Sequence, residues 1–306
     1  MLRPLLLSVL AVTLLSPVAA LAGKSQTHFE RTETRKDWVF DVAWKDAAGE
    51  RHTVHYALPR DAMDEDRAEP TYLKRRELNT FVVDEVVAWG KGIKGVKVTA
   101  TIEDGGVRIG VSGSDRKKAK ETLEAAEAVR DKAVDRWLRK NRFFTMASGS
   151  ISFDHARLVN DYAEALEPVA EALKADTKGK RAYVARALSF VQSIPYEARK
   201  RKGGDPGYRR PLALLFRNRG DCDSKAVLFL GLVRAAYPKT DRAVVYIPGL
   251  ALTGVGLPPR DGDEAFVLDD TTFVFAEPVG PALHPLGTPA PENKKDTRKA
   301  EIRVVP

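Results

Sequence analysis

The apolar residues of Asp37 to Lys45, with Trp, Val and Phe between charged ends, and the stretch from 51 to 58 form two extended patterns. Asp46-Ala47-Ala48-Gly49 lies between them and favours a turn, so the two stretches read as an antiparallel hairpin. The period then changes. Leu78, Phe81, Val82, Glu85, Val86 and Trp89 recur at three- and four-residue steps, the spacing of one helix face, until Gly90 and Gly92 end it. A second hairpin is expected where Val96, Val98, Ala100 and Ile102 alternate before Asp104-Gly105-Gly106 and Val107, Ile109 and Val111 follow. From 115 to 140 a stripe of Leu123, Ala126, Val129, Ala133, Trp137 and Leu138 runs through dense charge, the pattern of a long helix with one wet face. Met146-Ala147-Ser148-Gly149-Ser150 reads as a junction, which makes 23–145 a smaller α/β unit of unassigned role.

Beyond the junction the pattern predicts helices over 154–175 and 181–193. The second has Val184, Leu188 and Val191 on its buried face, and Pro195 closes it. A basic loop follows over 197–210, with Arg199, Lys200, Arg201, Lys202, Arg209 and Arg210, and then a short helix over 211–217. From Ala226 to Val233 the chain is apolar on nearly every side, as in a helix buried at the middle of a domain. Strands are expected at 243–247, 250–257, 264–268 and 271–277, and residues 288–306 read as a loose tail. The fold class expected is α+β, with helices packed on an antiparallel sheet in the C-terminal half.

The first 22 residues run from Arg3 through an apolar stretch to Ala20-Leu21-Ala22, the plan of a signal peptide cleaved near Ala22. Periplasmic or secreted location is therefore expected, with no transmembrane segment. The net charge of +8 suits anionic neighbours such as a cell-envelope component, while export argues against nucleic acid. No cofactor motif and no metal-ligand cluster stands out, so neither is expected.

The candidate chemistry centres on the sole cysteine, Cys222, in Gly220-Asp221-Cys222-Asp223-Ser224-Lys225-Ala226. It opens the buried helix, where unpaired backbone N–H groups and the positive end of the dipole favour thiolate. Asp221 and Asp223 oppose that. Four segments together resemble a bacterial transglutaminase-like domain of the papain-like cysteine peptidase superfamily: Phe190 to Tyr196, Gly220 to Ala226, Val244 to Gly249, and Phe275-Ala276-Glu277-Pro278. The resemblance spans about 150–287.

That resemblance implies Cys222 as nucleophile, Glu277 as the acid that orients a histidine, and the histidine itself at position 250. This chain has Leu250 there. Leucine can neither stabilise a thiolate nor protonate a leaving group, help that is worth about 10² to 10⁴ in rate. Gln192 is either an oxyanion donor or an amide capping a carbonyl at its helix end. His28, His52, His55, His155 and His284 are the other histidines, and helix N-terminal placement alone accounts for His155. Two functions are expected in contention. One is a catalytically incomplete binding or scaffolding module with a protein or peptide partner. The other is a cysteine hydrolase or acyl transferase acting on peptide or amide bonds through Cys222 and Glu277, with a different base.

Overall fold

The computed structural model describes residues 25–68, 72–197, 208–280 and 282–306. The expected signal peptide and the basic cluster from Arg199 to Lys202 lie outside the described residues. The architecture is mixed α and β with antiparallel sheets. Among the described residues, no helix is long and apolar enough to cross a membrane.

The first hairpin forms where the two extended stretches and the turn between them predict, as β2 (Asp37–Lys45) and β3 (Arg51–Pro59), and a further strand, β1 (Gln26–Glu33), joins its open edge. Phe40, Val42 and Trp44 face the core together with Val54, Tyr56 and Leu58 across the ladder. A helix without apolar periodicity, α1 (Arg60–Ala68), follows. It buries Met63 and Asp66. The helix–hairpin–helix unit comes next, as α2 (Arg75–Gly90), β4 (Lys97–Glu103), β5 (Gly106–Ser112) and α3 (Arg116–Lys140), with Asp115 capping α3 by accepting from the Lys118 N–H.

Residues 146–150 form the turn of a short hairpin, β6 (Phe143–Thr145) with β7 (Ile151–Phe153). The core continues across that turn. Trp44 and Tyr56 of the first sheet pack their rings against Phe190 of α6 (Lys180–Ser193), and Trp44 Nε1 donates to Ser189 Oγ at 3.0 Å. Asp66 links the same two parts: it accepts from the Ala213 N–H at 2.7 Å and from the Tyr162 hydroxyl, with Arg210 at 4.0 Å. Burial pushes the Asp66 carboxyl up, against these three partners.

The single helix expected over 154–175 is instead broken into α4 (His155–Tyr162), a 3-10 turn at Glu164–Leu166, and α5 (Glu167–Lys174). Pro168 is the physical reason. It has no N–H to donate back into a preceding turn, and it is accommodated in the first turn of α5. After α7 (Pro211–Arg217) comes α8 (Cys222–Ala236), the central helix, with every residue from Ser224 to Val233 buried. It packs on a five-stranded antiparallel sheet of order β10 (Ala265–Leu268), β11 (Thr271–Ala276), β9 (Leu250–Gly256), β8 (Arg242–Ile247) and β12 (Glu301–Val305).

The tail expected to be loose supplies β12, which pairs with β8 from Glu301↔Tyr246 to Val305↔Arg242. Its anchors are polar and were invisible as apolar pattern. Ala147 N–H donates to Glu301 at 3.0 Å, and Arg234 and Arg242 donate to the Pro306 carbonyl at 2.5 Å and 3.3 Å.

Candidate functional site

The position of Cys222 is set by the turn before α8. Asn218 ends α7 in the left-handed conformation, φ 50°. Gly220 then passes so close to Leu214 that a Cβ would lie 2.6 Å from its Cδ1. Gly220 also bridges Tyr196, with Glu197 N–H donating to its carbonyl at 3.0 Å and its own N–H donating to Pro195 at 3.2 Å. Asp221 caps α8, its side chain accepting from the Ser224 N–H at 2.9 Å. Ser224 Oγ in turn accepts from the Arg209 N–H at 2.7 Å.

The thiol is 9% exposed. Its one side-chain hydrogen-bond partner among the described residues is the neighbouring carboxylate, Asp223 Oδ2, at 3.7 Å. Burial pushes the Cys222 thiol far above its ordinary range, and the charges of Asp223 and Asp221 push the same way. Backbone N–H groups of Ala251 and Asp223 oppose them and lose. The helix-terminus effect expected to favour thiolate is therefore outweighed by desolvation and two adjacent anions. Tyr196 shares the same surroundings. Its hydroxyl is pushed up to about 12, chiefly by partial burial, with the negative charges of Asp221 and Asp223 adding to it.

The position expected for a histidine does not face the sulfur. Antiparallel register pairs Ile247 with Leu250, Tyr246 with Ala251 and Val245 with Leu252. Tyr246, Ala251 and Val255 belong to the core that contains α8, whereas Leu250 packs with Val245, Ile247, Leu252 and Phe275 in a second cluster on the opposite face. The residue turned toward α8 is Ala251.

Glu277 and Gln192 are close together, and both are committed to backbone. Glu277 is 7% exposed; its Oε2 accepts from the Ala290 N–H at 2.7 Å and its Oε1 from Asn293 Nδ2 at 2.9 Å, so it ties down the chain that leads to β12. Gln192 Nε2 donates to the carbonyls of Glu277 and His284, both at 2.8 Å. Of the two roles open to Gln192, carbonyl capping is the one observed, with carbonyls far along the chain as acceptors. Glu277 orients no histidine ring.

Helix N-terminal placement does not fully account for His155. Fully buried, it places Nε2 3.1 Å from Asp223 Oδ1, while Nδ1 lies 2.9 Å from both the Phe153 carbonyl and the Tyr246 hydroxyl. Asp223 therefore stands between imidazole and thiol. The Nε2–H donates to Asp223 in either of two states: a neutral ring that accepts from Tyr246 at Nδ1, or an imidazolium that donates to Phe153 there. Nothing local in the sequence announced this pairing across 68 positions. The other histidines lie apart from this group: His28, His52 and His55 pair with Glu30, Asp46 and Asp41 in the first sheet, and His284 contributes its carbonyl.

Lys225 is the second residue that pattern reading passed over. It is fully buried one turn into α8, and its Nζ donates to the carbonyls of Gln192 at 3.4 Å, Ile194 at 2.5 Å and Val279 at 2.6 Å. Burial pulls the ammonium down to about 7, with Asp221 opposing. A lysine directly before an apolar run, one turn into a helix read as buried, was the signal, since a buried ammonium must find acceptors. Gly280 closes this corner at φ 59°, where a Cβ would meet the Gln192 carbonyl at 2.4 Å.

Among the described residues one trio, Asp46, Glu50 and His52, brings potential metal-binding atoms within 4.8 Å of one another. Asp46 is already occupied there, accepting from the Ala48 and Glu50 N–H groups and meeting His52 Nε2 at 3.0 Å, which fixes the β2–β3 turn. No known family model, curated protein or solved structure matches this chain.

Proposed function

We propose that this chain is an exported transglutaminase-like protein whose cleft is catalytically incomplete and serves as a binding module of the cell envelope. Support for the fold reading is the cysteine at the first turn of a buried helix packed on β9 of an antiparallel sheet. This is analogy at the level of fold, and the function rests on the site. The observation that carries it is electrostatic: the thiol's partner is a carboxylate, burial and two aspartates hold the proton on sulfur, and among the described residues no imidazole bonds to it. Glu277 and Gln192, the other expected site residues, hold backbone instead. Export rests on the composition of residues 1–22.

The second reading, a cysteine hydrolase or acyl transferase, is favoured by the series Cys222, Asp223, His155. Its difficulty is a mismatch in proton affinity. Moving a proton from an ordinary thiol to an ordinary carboxylate is uphill by roughly 6 kcal/mol, and the raised thiol here widens that gap.

An activated ester separates the two. Mixing the protein with p-nitrophenyl acetate at neutral pH is expected to give no burst of p-nitrophenol beyond that of Cys222→Ala. A stoichiometric burst lost in Cys222→Ala contradicts the binding-module reading.

A further inference from the structure

The strongest feature outside the thiol's immediate surroundings is a concentration of guanidinium groups on the surface next to Tyr196. Two adjoining cavities of ≈ 770 Å³ and ≈ 440 Å³ share Arg31, Glu197, Arg217 and Arg219 on their walls, and Arg67 and Arg209 complete the smaller one. These arginines come from separate places in the fold: β1, α1, the approach to α7, the last turn of α7 and the turn that leads to Cys222. Five arginines face two glutamates, Glu30 and Glu197, along the joint lining.

The cluster is built rather than scattered. Arg31 donates to the Phe216 carbonyl, and the guanidinium carbons of Arg31 and Arg67 stand 4.0 Å and 3.7 Å from the centroid of the Phe216 ring. Glu197 pairs with Arg209 and, at 3.7 Å, with Arg219. Arg217 is exposed and has no hydrogen-bond or ion-pair partner among the described residues. Stacked, braced guanidinium groups keep their planar forks ordered toward solvent, which lowers the entropy lost when carboxylates dock on them.

We infer that this groove binds an acidic peptide segment, with Arg31, Arg217 and Arg219 pairing to its carboxylates and Tyr196 and Phe29 taking its apolar side chains. The inference rests on the binding-module reading and names the partner's chemistry. A peptide suits the lining better than a bare polyanion because guanidinium forks alternate with aromatic surface, and Tyr196 is 40% exposed. Tyr196 also bridges Gly220, in the turn that continues into Asp221, Cys222 and Asp223, so this end of the groove borders the turn that carries the thiol. The two aspartates repel a carboxylate there, which sets the acidic part of the ligand toward the arginine end.

Fluorescence anisotropy with a short labelled peptide rich in Glu and Leu tests this, beside its Gln-for-Glu counterpart and a polyphosphate of matched charge. The Glu peptide is expected to bind at low salt at least ~10-fold more tightly than the Gln peptide and to weaken as salt rises. The Arg217→Ala/Arg219→Ala double variant alters two exposed side chains and is expected to keep the fold by circular dichroism while losing roughly five- to tenfold in affinity. Equal binding of the two peptides, or unchanged binding by the double variant, overturns the proposal. So does polyphosphate that binds more tightly than the Glu peptide and displaces it. If the bound peptide is cleaved or becomes attached to wild-type protein but not to Cys222→Ala, the groove assignment stands and the catalytically incomplete reading fails.

Discussion

Lys225→Met is expected to destabilise the fold by roughly 2–4 kcal/mol, read as a loss of about 5–15 °C in thermal midpoint. The size follows from what the ammonium holds. Gln192 and Ile194 end α6, where the last carbonyls lack helical partners, and Val279 lies just past β11. One ammonium has three N–H donors and here meets three carbonyls. Methionine fills a similar volume and donates nothing, so all three acceptors stay buried and unpaired, at about 1–3 kcal/mol each. Removing a buried charge returns part of that, since burial alone drives Lys225 down to about 7. The net remains a loss because no water replaces the donors at a fully buried site. A midpoint within about 2 °C of wild type would contradict this account of the α6–β11 corner.

The second large effect is on the thiol. Asp223→Asn is expected to raise the rate of Cys222 alkylation near pH 8.5 roughly tenfold, because one charge beside the buried sulfur is worth about one pKa unit. Asparagine keeps the shape and an acceptor for His155 Nε2–H, so the fold is retained. Leu250→His is the informative contrast. Register places residue 250 on the sheet face away from α8, so this change is expected to leave the rate within about threefold of wild type, although it restores the residue type of a Cys-His pair. Equal rates for Asp223→Asn and wild type would remove the electrostatic argument; a large gain in Leu250→His would show that its side chain reaches the cleft.

These expectations also mark what the chain made readable. Helix α7, the start of α8 and the strands β8, β9 and β11 lie close to where apolar spacing and Gly, Pro and Asp breaks put them, because their signals are local. Strand β1 has Phe29 as its sole apolar residue, and its exposed positions give no face to read. Helix α1 buries Asp66 through Tyr162, Ala213 and Arg210, and β12 is held by its pairing with β8; neither cause appears in hydrophobic spacing.

The site divides the same way. Cys222 at the head of an apolar run was evident from sequence, whereas Asp221 was read there only as a charge and its capping of α8 is defined by the fold. The bond from His155 to Asp223 joins residues brought together by α4 packing on α8, and no periodicity encodes it. Glu277 and Gln192 are joined by the bond from Gln192 Nε2 to the Glu277 carbonyl. Their roles depended on the carbonyls of 277 and 284 and the N–H of 290, backbone groups whose placement only the folded chain defines.

Because Cys222 is the sole cysteine, its titration can be followed without ambiguity by mass after timed iodoacetamide pulses across about pH 6 to 10.5. Thiolate is the reacting form, so a raised pKa moves the profile to higher pH; limited access lowers the rates at all pH values without moving it. A rate still climbing at the alkaline end is expected, with no plateau near the ordinary thiol value of about 8.5. A profile that levels off with an apparent pKa below about 7 would mean an activated thiolate, and would contradict the view that this cleft binds without reacting.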